Sequence, residues 1–244
     1  MLVKPKLKYI QTLGQKKFRE QEGLFIAEGP KSVSELLSSG NAKVKEVLAL
    51  KEWIQENKNL LAKTEVTEIS QIELERISQL TTPNKVLAIV HQFDNNTAGA
   101  TKGKISLVLD SLQDPGNLGT IIRIADWFGV EQIICSHDTA DVYNSKVVQA
   151  TMGSIARVKV VYTDLSTWLA ERNDVSIYAA MLEGQDVTSM KKISEGIIIF
   201  GNESKGISPE LLELVNVKLT IPKKGKAESL NVAVAVGVVL GCVV

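Results

Sequence analysis

Three polar segments stand where apolar runs stop, and they hold the residues best suited to chemistry. The first is Asp110-Ser-Leu-Gln-Asp-Pro-Gly-Asn-Leu-Gly-Thr-Ile-Ile-Arg-Ile-Ala-Asp126. Pro115 and Gly116 make a turn there, Asn117 can cap the helix that follows, and Gly119 allows close backbone approach. Arg123 lies four residues beyond Gly119, so its guanidinium projects within about one turn of the loop. The second segment is Phe200-Gly-Asn-Glu-Ser-Lys-Gly206, after which Ser208-Pro209 opens a helix. The third is Ile221-Pro-Lys-Lys-Gly-Lys-Ala-Glu-Ser-Leu-Asn231, where Ser229 suits the N-cap of the last helix. Taken singly, each is a loop that any α/β fold needs.

What these segments exclude is informative. No G-x-G-x-x-G follows a strand, and Gly-Asn-Glu-Ser-Lys-Gly lacks the spacing of a phosphate loop. No G-x-S-x-G nucleophile elbow is present, and the two histidines, His91 and His137, are too far apart in sequence to make a Ser-His triad easy to build. Cys135 and Cys242 are single and remote, forming neither a zinc pattern nor a disulfide framework, so a reducing cytoplasm is the default and no metal is expected.

The elements around the segments suggest how they are positioned. After Lys104 the apolar runs Ile105–Leu109, 132–135, 177–181, 197–200 and 217–221 read as buried strands alternating with helices, the pattern of a parallel sheet covered on both faces. Such sheets bind ligands at loops beyond the carboxyl ends of their strands, where the three segments lie. Residues 1–92 read as a smaller α/β domain, with strands at 24–27, 44–50 and 86–90. Its helices are one opened by Gly29-Pro30, with Val33, Leu36 and Leu37 on one face, and one at 69–80 with Ile72, Leu74, Ile77 and Leu80. Residues 93–103, rich in Asn, Thr and Gly, read as a linker, and 104–244 as the second domain. A hydrophobic content of 44% supports a real core. The apolar stretch 232–244 is too short to span a bilayer of roughly 30 Å and reads as a buried helix, so no membrane role is expected. No apolar segment follows the basic start in the manner of a signal peptide. Net charge is zero but uneven. Residues 1–92 carry 14 basic against 11 acidic residues, and the excess is concentrated early, where Lys16, Lys17 and Arg19 are candidates for a phosphate backbone.

Together the motifs are specific. N-x-G-x-x-x-R-x-A at Asn117–Ala125, G-N-E-x-x-G at Gly201–Gly206, and I-P…G-x-x-x-S-L-N-V at Ile221–Val232 closely resemble, in this order, the three motifs of the SpoU (TrmH) branch of the SPOUT methyltransferases. The segment Phe18–Gly29 resembles the start of that family's RNA-binding domain, which is similar to ribosomal protein L30e. Ala233 departs from the many members that have a small polar Ser after N-V.

The resemblance implies a catalytic domain whose C-terminal helix threads a trefoil knot, preceded by an L30e-like domain. It implies S-adenosyl-L-methionine among the loops at Gly201, Ile221 and Leu230, a homodimer, and methylation of a ribose 2′-hydroxyl in ribosomal or transfer RNA; an extra domain at the N-terminus without a long basic tail favours ribosomal RNA. Methyl transfer from a sulfonium needs an aligned acceptor oxygen and a route for its proton. Asn117, Arg123, Glu203, Ser229 and Asn231 match the family's polar positions. Asn117 would orient Arg123 and the loop, Ser229 and Asn231 would hold the acceptor nucleotide or shape the pocket, and Glu203 would fix the second loop or pair with Arg123. Two other readings stay open: an RNA-binding protein with a degenerate SPOUT domain, and a base-methylating SPOUT enzyme. The intact polar set argues against the first, and the G-N-E-x-x-G and S-L-N-V pair against the second.

Overall fold

The computed structural model describes residues 2–95 and 97–244; Met1, and Asn96 within the expected linker, lie outside the described residues. The chain forms two compact units, Met1–Asp94 with Asp141–Arg157, and Asn95–Ala140 with Val158–Val244. The division differs from the sequence reading in one respect: a segment from the middle of 104–244 belongs with the N-terminal unit.

The first unit comprises α1 (Lys4–Thr12), α2 (Lys16–Glu22), β1 (Leu24–Glu28), α3 (Pro30–Ser38), β2 (Val44–Ala49), α4 (Lys51–Glu56), β3 (Val66–Glu68), α5 (Gln71–Ile77) and β4 (Val86–His91). Its sheet runs β1-β4-β2-β3, with β4 antiparallel to both neighbours and β3 parallel to β2. Ile10, Leu13, Leu24, Ile26, Leu48, Leu74, Ile77, Leu87 and Ile89 form its core. α5 begins at a capping box between Ser70 and Glu73. It stops three residues short of the expected end, because the buried Glu28 carboxylate takes the Ser78 hydroxyl and the Gln79 N–H. Ile72, expected on the inner face, is 69% exposed.

The second unit contains β5 (Ile105–Leu109), α6 (Pro115–Trp127) and β6 (Gln132–Cys135). After α7 (Ser145–Thr151), which belongs to the first unit, come β7 (Lys159–Tyr162), α8 (Leu165–Ala170), β8 (Ile177–Asp186), β9 (Gly196–Phe200), α9 (Pro209–Leu212), β10 (Val217–Thr220) and α10 (Val232–Val243). The six strands are all parallel in the order β10-β8-β9-β5-β6-β7. β5 is the point where the order reverses, with β6 on one side and β9 on the other, so loops from both halves meet at its carboxyl end.

The expected linker is tied down over its second half. The buried Gln132 accepts from Gly99 N–H (2.8 Å) and donates to Ala100 O (3.2 Å) and Ser106 Oγ (2.7 Å). α10 packs along α6, with Gly237 facing Ile124 and Gly241 facing Phe128. The connection before β9 is clasped to the end of α10 by Ile193 N–H on Val243 O (2.7 Å) and Lys192 Nζ on Gly241 O (3.2 Å). A knotted C-terminal helix requires such a crossing. α10 is not wholly buried, since Val234 is 52% exposed.

Candidate active site

Both sequence assignments of helix caps in the second unit shift by a few residues, and each shift has a chemical consequence. α6 is capped by Asp114, whose carboxylate accepts from Asn117 N–H (2.7 Å) with Pro115 at the first helical position. The Asn117 amide is therefore not the cap. α10 is capped by Asn231 and not by Ser229: Asn231 Oδ1 accepts from Ala233 N–H (3.0 Å) and Val234 N–H (3.4 Å).

These caps fix the direction of a chain of side-chain hydrogen bonds through all three loops. The N–H groups of α10 claim Asn231 Oδ1, so Asn231 Nδ2 must turn outward, and it donates to Asn117 Oδ1 at 3.0 Å. Asn117 then presents Nδ2 to the Glu203 carboxylate, also at 3.0 Å. An amide orientation is inferred from its partners, and here a helix end and a carboxylate leave one choice. Glu203 thus pairs with Asn117. Asn117 and Arg123 are six positions apart, about 240° around the helix, so they do not share a face. Asn117 joins the third loop to the second. Arg123 is exposed on α6, as are Thr120 and Trp127.

Gly201 has a structural purpose within its own loop. A Cβ there would fall 2.2 Å from the carbonyl carbon of Gly206 and 2.4 Å from Ile207 N, so the missing side chain makes room for the loop's own return. Asn202, which the sequence reading passed over, holds that return. Its backbone exchanges two hydrogen bonds with Gly206 (2.9 Å each), its Oδ1 accepts from Ser204 and Lys205 N–H, and its Nδ2 donates to Ser111 O (2.7 Å). Ser111 sits at φ 57°, a costly conformation outside glycine. Ser136 Oγ helps to hold it by accepting from Ser111 N–H at 2.8 Å. Ser136 also donates to Asp138 (2.6 Å) and keeps that carboxyl below its ordinary range.

The neighbours β10, β8 and β9 end side by side, which groups Ile221, the end of β8 and Gly201. β8 leaves its register with β10 between Ala179 and Gln185, and Thr220 Oγ1 donates to Leu182 O at 2.9 Å. Leu182 is 74% exposed and Leu230 50%. Exposed apolar side chains beside half-buried Gly201 and Ile221 suit a ligand with a flat apolar part held by backbone groups. Leu182 was missed because the sequence marks only polar loops, not an apolar bulge. Ser229 is exposed.

Arg19 does not fit its expected role. It is 4% exposed, donates to Leu13 O (3.1 Å) and Gly14 O (2.8 Å), and forms an ion pair with Asp141. Two carbonyl oxygens and the Asp141 carboxylate take up this buried cation, so it cannot meet a phosphate backbone from where it sits. Lys16 and Lys17 are exposed, with Lys16 3.7 Å from Glu20.

The six-stranded parallel sheet brings three strand-end loops together, joined by the Asn231–Asn117–Glu203 side chains. The model of the SpoU rRNA methylase family matches residues 104–241, and that of the MRM3-like substrate binding domain matches residues 4–88. The chain belongs to the SpoU rRNA methylase family. It is similar to the 23S rRNA (guanosine(2553)-2′-O)-methyltransferase RlmP of Bacillus subtilis, 32% identical over 238 residues covering 96% of this chain and 94% of that one. Among solved structures it resembles a TrmH-family protein of Porphyromonas gingivalis (34% identity, TM-score 0.85, 99% of this chain and 97% of that one). It also resembles the AdoMet-bound rRNA methyltransferase of Sinorhizobium meliloti (30% identity, TM-score 0.85, 98% and 94%).

Gly201→Ala is expected to weaken S-adenosylmethionine binding by about tenfold or more, because a loop that cannot close costs on the order of 1–3 kcal/mol. Titration calorimetry on the folded variant is the measurement, and unchanged affinity would detach this loop from the cofactor.

Proposed function

We propose that this protein transfers the methyl group of S-adenosylmethionine to a ribose 2′-hydroxyl in ribosomal RNA, the class of RNA on which its B. subtilis relative acts by name. The observation that carries the reading is the Asn231–Asn117–Glu203 chain, which joins all three motif loops through directed hydrogen bonds. A degenerate domain has no reason to keep it. The cofactor fits the donor set: Gly201 and Ile221 offer backbone at adjoining strand ends, and Leu230 and Leu182 offer apolar surface. Bound there, it supplies the methyl group on a sulfonium that is already a good leaving group, so no metal requirement is expected. The protein's part is to align the 2′-oxygen and handle its proton. Asn117 and Glu203 hold the first and second loops in register, Ser229 and Asn231 face the acceptor nucleotide from the third, and Arg123 stabilises charge on the oxygen.

Residues 1–92, with the Asp141–Arg157 segment that completes their unit, serve as the RNA-binding domain, joined through 93–103 to the methyltransferase domain. Exposed Lys16 and Lys17 contribute to a phosphate-directed attraction that weakens with salt. The active species is a homodimer. Trp127, 85% exposed at the end of α6, and Val234 on the neighbouring α10 form apolar surface of the kind an isologous interface covers. The work is cytoplasmic, where Cys135 and Cys242 remain free thiols. The deciding experiment maps ribose methylation in total RNA from cells with and without the protein. One or more ribosomal riboses should lose methylation with it; an unchanged ribosomal map refutes the reading.

A further inference from the structure

The 201–208 loop, which carries Glu203, is held at both of its feet by one residue that is neither in the loop nor among the polar motif positions. Asp110 directly follows β5 and is 6% exposed. Its backbone N–H donates to Phe200 O at 2.9 Å, at the point where the loop departs. Its carboxylate Oδ2 accepts from Ser208 N–H at 2.7 Å, at the point where the loop returns. The second carboxylate oxygen accepts from Ser111 Oγ at 3.2 Å. The near foot is also secured by the β5–β9 ladder, which pairs Leu109 with Phe200. At the far foot the carboxylate ties Ser208 directly to the residue after β5, beside Ile207, which is buried in the same core cluster as Val108.

A buried carboxylate is costly unless hydrogen bonds compensate for its lost water. One acceptor receiving one backbone N–H would be met as well by a neutral side chain. What Asp110 adds is position, because its two ends of contact set the span of the loop. Glu203 lies inside that span and must reach Asn117 within hydrogen-bonding distance. Asn202 closes the loop on itself and ties it to Ser111 O, so what the far foot sets is the placement of the closed loop, and with it Glu203, relative to Asn117.

We infer that Asp110 is a positioning residue for methyl transfer, acting through Ser208 N–H to hold Glu203 against Asn117. The inference rests on the activity proposed above. It predicts a split between two readouts: the transfer step depends on Asp110, and cofactor affinity depends on it far less.

The test uses the full chain, S-adenosylmethionine carrying a labelled methyl group, and ribosomal RNA purified from cells lacking the protein. Asp110→Ala is expected to lower kcat at saturating RNA by about tenfold or more, the usual loss for a misaligned reacting group, with the cofactor Kd changed less than about threefold. Asp110→Asn keeps an acceptor oxygen for Ser208 and is expected to recover most of the rate. Ser208→Pro removes the same hydrogen bond from the other side, and Ser208 already has φ −61°, which proline adopts. It should reproduce the Asp110→Ala effect, and the double variant should be no slower than either single one. If Asp110→Ala does not fold, Ser208→Pro and Asp110→Asn carry the test. The inference is overturned by a kcat within twofold of the natural protein in Asp110→Ala or Ser208→Pro, by cofactor affinity falling in step with kcat, or by Asp110→Asn as slow as Asp110→Ala. If the natural protein does not methylate this RNA, the proposed function fails instead, and the two failures are distinguishable.

Discussion

Arg123→Ala is expected to slow methyl transfer by roughly 10²-fold or more, equivalent to about 2.7 kcal/mol of lost transition-state stabilisation, while leaving cofactor affinity nearly unchanged. Arg123 is exposed on α6, on a face different from that of Asn117. Its loss should therefore leave the hydrogen-bonded loops and the cofactor's strand-end site intact. Two accounts of its part differ in what the guanidinium does. In one it is the base that removes the 2′-hydroxyl proton, which is difficult for a guanidinium, a group that holds its proton in proteins. In the other it remains charged and stabilises the developing alkoxide and the adjacent phosphate, with water taking the proton. Arg123→Lys separates them in part. Lysine keeps the charge and loses a proton more easily, yet it lacks the bidentate fork. A lysine variant that gains rate steeply with rising pH supports the base; one that is slow at every pH supports the fork. Near-normal transfer by a folded Arg123→Ala variant removes this residue from both accounts.

Asn117→Asp is expected to produce a loss of similar size that depends on pH. The substitution is almost isosteric and keeps the acceptor for Asn231, but it replaces the donor that faces Glu203 at 3.0 Å with a second carboxylate. Two carboxylates at that distance cannot both ionise comfortably, so one of them titrates well above the ordinary range. Above that raised value the pair repels and the first and second loops part. Below it, the protonated carboxyl donates to its neighbour and the chain is restored. The rate of the variant relative to the natural protein should therefore rise as pH falls through that raised value. Asn117→Leu, which can neither donate nor titrate, should stay slow across the range. A ratio for Asn117→Asp that is flat with pH would show that Glu203 and Asn117 do not act together.

The parallel sheet was legible because its strands are buried on both faces and read as continuous apolar runs, as at Ile105–Leu109 and Gly196–Phe200. β3, only three residues, and β7, Lys159–Tyr162, half-buried at both ends, were not, although the equally short β6 and β10 were. The site residues were legible as a set through three spaced motifs, but their partners were not. Side chains such as Asn117 and Glu203 are 86 positions apart, and a periodic pattern says nothing about which loop faces which. Charge was the least reliable guide. Lys16, Lys17 and Arg19 are adjacent in sequence and equally basic, yet one turn of α2 exposes the lysines and buries the arginine. Its partner, Asp141, is 122 positions away.

That distant partner has a consequence for anyone who would cut or recombine this gene. The N-terminal unit is built from two stretches of chain, and the second, Asp141–Arg157, is encoded inside the methyltransferase. It is bound by Arg19 to Asp141, by Phe93 N–H to the Tyr143 hydroxyl (2.8 Å), by Asn41 to Ala156 O (3.3 Å) and by Arg157 to Glu35 (3.1 Å). A fragment starting at residue 104 would leave Val147, Val148 and Ile155, all buried in the whole chain, without the surface that covers them. A hybrid joined at a single point in the linker would mate one protein's front half with another's insert. Moving the N-terminal unit between relatives is therefore expected to take two exchanges.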